Sequence, residues 1–508
     1  MKLERIPVSQ GSDGTSSWGE MNVPRRFPRP ALVTGLGLLV MTGAVGAAPF
    51  TLQGPGVNPA DFRVTTFASG LDHPLGMVAL DDGSLLVALS PGKSFWTSSG
   101  ALVRFVDADH DGVADGPGSV LISGLPGGQT SLKRWGTLLF VTGQGPGKPI
   151  TLLRAGATPA DPLTRIGSIT INYPSGSWSH PHSSLGVRPT PGDPASVDLF
   201  FQLGSKANIA ATTARATLSN DKVPGATGSL EGDSIYRITL SDLPSGISAS
   251  NLTRIARGLR NPAGFAFEPG TGDFYFEDNG IDGLVDVNEP TSADELNRIP
   301  AADLGGTAED FGFPGTYTAY RTGTVVGGAG IQPLIAFQPQ PDPLTGSESE
   351  GPNDIAFAPP AFPSGLNRGI FVGFHGRFSA GGLANEENPL VWADPATGQY
   401  FHFIGNNEPD IGHLDGLLAT TTSLFVADIA PKGDIGSGGG TGIIYQIQSL
   451  VPPSLTWRTV GDSLELSWTY GTLQSAGSLT DLWIPVEGAV SPRTVPLDQS
   501  AVYFRVSP

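Results

Sequence analysis

The sequence predicts an all-β fold: a six-bladed β-propeller followed by a small C-terminal β-sandwich-like module. Three observations carry this expectation. One pattern recurs six times, apolar and polar residues alternate with period 2 between Gly, Pro and Asp turns, and amphipathic helical spacing is nearly absent. The recurring unit has small or polar residues, an apolar triplet, a turn, and a β-rich run. Its first copy is Gly70-Leu-Asp-His-Pro-Leu-Gly-Met-Val-Ala79 with Gly83-Ser-Leu-Leu-Val87. The second and third are Gly124-Leu-Pro with Gly136-Thr-Leu-Leu-Phe-Val141, and His180 to Val187 with Val197-Asp-Leu-Phe-Phe201. The fourth pairs Gly258-Leu-Arg-Asn-Pro262 with Gly272-Asp-Phe-Tyr-Phe276, and the fifth pairs Gly351-Pro-Asn-Asp-Ile-Ala-Phe357 with Gly369-Ile-Phe-Val372. The sixth is Gly412-His-Leu-Asp-Gly-Leu417 with Ser423-Leu-Phe-Val426.

Second strand signals follow most copies, as in Ala101-Leu-Val-Arg-Phe105, Ser234-Ile-Tyr-Arg-Ile238 and Gly442 to Ile447. Repeats of a small antiparallel sheet, too long for a solenoid rung, suit blades that bury their faces against neighbours. Two stacked β-sandwiches are the competing architecture. Uneven spacing implies long insertions, widest between the third and fifth copies. The texture changes at Val451-Pro-Pro453, and clean alternation in Leu464-Glu-Leu-Ser-Trp468 and Val502-Tyr-Phe-Arg-Val506 marks a separate module. The expected division is therefore 1–47, 48–449 and 450–508.

Composition narrows the function. The 508 residues include 70 Gly, 45 Pro and no Cys, with 15% charged and 39% hydrophobic residues. Absence of cysteine excludes disulfides, thiolate metal sites, a cysteine nucleophile and iron–sulfur clusters. A net charge of −18 argues against a nucleic-acid partner and suits hard cations such as calcium. Arg25, Arg26 and Arg29 precede the apolar run Ala31 to Val40, and Val45-Gly46-Ala47 offers a small-residue cleavage site. This reads as an export signal, with translation expected to start at Met21 and an uncleaved anchor as the alternative. A secreted or periplasmic protein with no transmembrane domain after cleavage is the expectation.

Ligands of propellers bind at a mouth of the central channel, so polar residues at the starts of the repeats are the candidates. They are His180 with His182, Arg260-Asn261, and the acidic stretch from Glu277-Asp278-Asn279-Gly280 to Asp294-Glu295. The run Gly258-Leu-Arg-Asn-Pro-Ala-Gly-Phe-Ala-Phe267, then Asp278-Asn-Gly280 and Asp294-Glu-Leu-Asn297, resembles the glucose/sorbosone dehydrogenase family. The stretches His180 to Pro189 and Phe362 to Val372, with His375-Gly376, extend the resemblance over about residues 62–447, nearer the sorbosone branch. The resemblance implies a soluble six-bladed propeller that uses pyrroloquinoline quinone (PQQ) with calcium to oxidise a sugar or alcohol. It does not specify the electron acceptor.

The resemblance places the catalytic base at His180, with His182 in reserve. A neutral imidazole can take the hydroxyl proton during hydride transfer, although turn histidines beside Pro181 are the plainer reading. Arg260, with Asn261 beside it, could fork onto cofactor oxygens, or could simply bridge blades through a salt bridge. Arg377 is a further cofactor-binding candidate. Asp278, Asn279, Asp294 and Glu295 offer hard oxygen ligands for calcium, in a catalytic or a loop-fixing role.

A second acidic loop, Asp107-Ala-Asp109-His-Asp111-Gly112-Val-Ala-Asp115, has carboxylates at positions 1, 3, 5 and 9 and Gly at 6. That is the front half of an EF-hand-type calcium loop, but Gly118 stands at position 12 in place of the closing Glu. A turn held by side-chain-to-backbone bonds is its alternative. The sequence also departs from the family. His413 and Asp415 stand where arginine is common, so Lys432 or another cation is needed to offset repulsion of a tricarboxylate. Three readings therefore stand: a PQQ- and calcium-dependent dehydrogenase, a ligand-binding propeller that has lost the cofactor, and a calcium-dependent lactonase-like hydrolase using Asn261, Asn279 and Asp415.

Overall fold

Each sequence repeat folds as the two innermost strands of one antiparallel blade. The computed structural model describes residues 48–97, 99–286, 289–496 and 502–507. The expected export signal lies outside the described residues. Blade I contains Met77–Ala79, Leu85–Leu89, Ser99–Phe105 and Ser119–Pro126. Blade II contains Gln129–Trp135, Leu138–Gly143, Ile150–Arg154 and Thr164–Asn172, and blade III contains Leu185–Thr190, Asp193–Leu203, Ser234–Leu243 and Gly246–Arg257. Blade IV contains Pro262–Phe267, Phe274–Asp278, Glu295–Ile299 and Ile335–Ala336. Blade V contains Pro352–Phe357, Ile370–Phe374, Leu390–Asp394 and Gln399–Ile404. Blade VI contains Gly416–Ala419, Ser423–Asp428 and Gly442–Ser449, and its outermost strand is Phe62–Leu71 from the start of the propeller.

The innermost strands touch in the order I, II, III, IV, V, VI and back to I, which closes the ring. The second strands do not alternate: Leu85–Leu89, Leu138–Gly143 and Ile370–Phe374 are buried at every position. Both faces of a blade are covered by neighbours, so period 2 survives only toward the outside. A separate apolar cluster fills each of the six interfaces. Phe200 of blade III packs with Phe265, Phe274 and Phe276 of blade IV, for example. The hairpin Arg215–Asp221 and Gly228–Glu231, inserted within blade III, instead extends the outer edge of blade II.

Residues Ala48–Val451 form one compact unit. In the C-terminal module, one three-stranded sheet contains Leu455–Val460, Ser463–Trp468 and Arg493–Pro496. The other contains Ile484–Pro485, Thr472–Ala476 and Tyr503–Ser507. Leu464, Leu466, Leu473 and Val506 make its buried core.

Candidate functional site

Three segments distant in sequence are stitched together at the ends of blades III and IV. The His180 N–H donates to Ser205 O (3.0 Å), and the Ser205 N–H donates to Arg260 O (2.6 Å). Between them Gly204 leaves no room for a side chain, since a Cβ there would lie 2.6 Å from Arg260 O and 2.9 Å from the His180 Cβ. His180, Arg260, Asn261 and Arg377 thus all line one cavity of ≈ 770 Å³. Trp96 and Phe378, both more than two-fifths exposed, stand in its wall in edge contact with each other.

The hydrogen-bond network assigns the tautomer of His180. The Ser205 hydroxyl gives its proton to Ala207 O (2.7 Å), so it must accept from His180 Nδ1–H (2.8 Å). The Nε2 lone pair is then left without a partner among the described residues. Burial first, and then the charge of Arg260, push the His180 pKa down to about 3. The ring is therefore a neutral acceptor.

His182 does not share this role. It is 1% exposed, Nε2–H donates to Lys148 O (2.6 Å) and Nδ1 accepts from the Tyr173 hydroxyl (2.6 Å). Both nitrogens are consumed and the ring lies outside the cavity wall, so the reserve candidate is a packing residue.

Arg260 is largely engaged as well. Its guanidinium donates to Asn208 O and Oδ1 and to Asn279 O, and pairs with Asp282 at 2.6 Å. What it keeps for a ligand is positive charge and one NH1 hydrogen, so its main work is to lock the loops of blades III and IV. The Asn261 side chain, by contrast, has no partner among the described residues. Arg377 pairs through Nε with Glu387 (2.7 Å), and its two terminal nitrogens have no partner among the described residues. Of the late-blade pair, His413 is fully buried and held by His375 O, whereas Asp415 reaches the cavity. Lys432 does not compensate for it, because it pairs with Asp410 at 2.8 Å on the surface.

The expected metal cluster divides. Asp294 lines the main cavity, where it accepts from the Gly280 and Gly351 N–H groups. Asp278 and Glu295 face a separate void of about 20 Å³, and Asp278 caps the turn by accepting from the Arg260 and Asn261 N–H groups. Asn279 spends its amide hydrogens on Asn261 O and Pro352 O. These carboxylates do not come within metal-ligand span of one another as a set of three. Burial raises Asp278 to about 7 and Glu295 to about 8.

The surface loop does converge: Asp107, Asp109 and Asp111 bring carboxylate oxygens within 4.8 Å of one another. Asp115 lies apart from that group and caps the Ala108 N–H instead. Gly112 adopts φ +87°, and a Cβ there would lie 2.8 Å from Thr65 Oγ1.

Sequence reasoning missed Ser205, Asn208, Asp282 and Glu350. The first two follow the apolar run Leu199 to Leu203 and could have been flagged as the exit from a second strand. Glu350, a cavity residue whose carboxyl is pushed well up by burial and the carboxylate of Glu387, has no comparable signal.

No family model matches the chain, and no curated protein does. Solved structures similar to it include the holo PQQ domain of pyranose dehydrogenase from Coprinopsis cinerea. That match is 15% identical over 78% of this chain and 97% of that one, with a TM-score of 0.48. The PQQ-bound aldose sugar dehydrogenase from Streptomyces coelicolor is 16% identical over 77% and 99%, with a TM-score of 0.46. A calcium structure of a Trichoderma reesei carbohydrate-active enzyme of family AA12 is 17% identical over 79% and 98%, with a TM-score of 0.48.

Proposed function

We propose that this chain oxidises a sugar, polyol or related alcohol at the propeller mouth, with PQQ and calcium as the groups its sequence resemblance implies. The supporting observation is that His180, whose Nε2 has no partner among the described residues, lines the cavity that Arg260, Asn261 and Arg377 share. His180 takes the substrate hydroxyl proton at Nε2, and Ser205 holds the ring in the tautomer that permits it. Arg260 fixes the two loops and adds to the burial that keeps His180 neutral. Arg377, through its terminal nitrogens, and Asn261, through its amide, would hold the cofactor, since neither has a partner there among the described residues. A quinone bound there would supply the acceptor for the hydride that leaves the alcohol carbon.

Charge sets a condition on that fit. PQQ carries three carboxylates, and both guanidiniums in the wall are already paired, with Asp282 and with Glu387. A calcium ion bound with the cofactor would offset the charge that Arg377 cannot. The Asp107 loop is a second, structural calcium site in this reading, and the expected export signal makes the protein secreted or periplasmic.

The test is reconstitution of purified protein with PQQ, followed by quinone absorbance and dye reduction over sugars and polyols. Both signals are expected with calcium and both should vanish on chelation. If calcium and PQQ together give neither, the dehydrogenase reading is removed. The ligand-binding propeller then stands, a reading favoured by the arginines already committed to Asp282 and Glu387.

Ser205→Ala gives a finer check. It should lower kcat about tenfold with KM little changed, because it removes a positioning bond and no substrate contact. Imidazole ¹⁵N shifts should show His180 protonated at Nδ1 in the parent and mixed tautomers in the variant. A parent ring protonated at Nε2 would rule out the assignment.

A further inference from the structure

Where Asp294 and Asp415 line the cavity, buried acidic groups accumulate that the proposed reaction does not use. Glu277, on the second strand of blade IV, is 0% exposed, and neither of its carboxylate oxygens has a hydrogen-bond partner among the described residues. Its carboxyl lies across the innermost strand of its own blade, because Gly264 leaves the space open. A Cβ on Gly264 would sit 2.6 Å from Glu277 Oε2, and this glycine has φ +56°. The charged groups that act on Glu277 are Asp354, Asp294, Asp415 and Lys133. Asp415 is 3% exposed and its Oδ1 also has no partner among the described residues.

The one ammonium is already committed. Lys133 of blade II reaches Asp354 of blade V at 3.7 Å, a pair that joins opposite blades of the ring. Asp354 is further satisfied by the Leu417 and Ile355 N–H groups. That leaves Glu277 and Asp415 as unpartnered acids beside an already neutralised pair. Protonation does not resolve this for Glu277, since the second oxygen of the acid would still lack a donor among the described residues. Water would supply hydrogen bonds but would leave the charge. A hard cation supplies both, and two excess carboxylates match a divalent one.

We propose that a divalent cation of the calcium class occupies this acidic cluster, held by Glu277 and Asp415 with water completing its shell. It ties blade IV to blade VI, as Lys133 and Asp354 tie II to V. The site stands whether or not the cavity takes a quinone.

The experiment uses the full chain without PQQ. Metal content is measured after dialysis against calcium, together with thermal unfolding in calcium and in chelator. The parent, Glu277→Gln and, as a surface control, Asp109→Asn are compared. Glu277→Gln should lose one equivalent of calcium and most of the calcium-dependent rise in Tm. Asp109→Asn should retain the equivalent that Glu277→Gln loses. If Glu277→Gln does not fold, Asp415→Asn is read the same way. Unchanged calcium content in Glu277→Gln, or a parent that binds no calcium beyond the surface loop, overturns the proposal.

Discussion

Replacing His180 with Gln should lower kcat for alcohol oxidation by about 10²–10⁴-fold, with a much smaller change in KM. The loss falls on kcat because the side chain acts when the hydroxyl proton leaves, and glutamine keeps a polar tip without a usable lone-pair base. The pH dependence is equally specific. With its pKa pushed down to about 3, the ring is already an unprotonated base at pH 5, so kcat/KM should not fall as pH drops through 6.5. An inflection near 6.5 in the parent would mean that the base is another group. Arg260 is the second cause of the depressed value, after burial. Arg260→Gln should therefore move the acid limb to higher pH. The same shift has a stability consequence of definite sign. Between pH 3 and 6.5 the unfolded chain binds a proton that native His180 refuses, so stability rises with pH across that window and the contribution is complete above it. Urea unfolding of parent and His180→Gln at pH 4.5 and 7 should show the gap between them change accordingly.

Much of this was legible because a propeller writes its architecture locally. Each of the six copies spans a turn and the strands on either side, so one hydrophobic rhythm marks the two innermost strands of every blade. Ring closure was not legible. Phe62–Leu71 pairs with Gly442–Ser449, nearly four hundred positions away, and no local pattern states that partnership. The site shows the same split. The Arg260-Asn261 motif lies in the cavity wall, but the sequence could not show that Asn208 and Asp282 take up most of the guanidinium. Nor could it separate two histidines two residues apart. Burial and the carbonyl of Lys148 close off His182, while Ser205 leaves His180 open, and both partners come from other loops. The acidic run from Asp278 to Glu295 is divided in space, because Asp278 and Glu295 are cross-strand partners facing one small void, while Asp294, next to Glu295 in the chain, faces the main cavity.

Phe67→Ala should destabilise the propeller by about 3–5 kcal/mol, although residue 67 lies far from the site and outside every repeat. The side chain is 3% exposed and packs edge-on against Phe425 with ring centroids 5.2 Å apart, in the cluster that joins blades I and VI. Its strand is the outermost one of blade VI, so weakening it also exposes the hydrogen-bonding edge of Gly442–Ser449 to other chains. A loss of that size is a large part of the roughly 5–15 kcal/mol that holds a typical domain folded. The comparison is Val120→Ala on the outer strand of blade I, where the side chain is 62% exposed and the change should stay within about 0.5 kcal/mol. Urea unfolding of the two variants decides the matter. If Phe67→Ala proves as mild as Val120→Ala, the first strand does not fasten the ring. The shared cavity would then lack the closed scaffold that brings His180, Arg260 and Arg377 to one mouth.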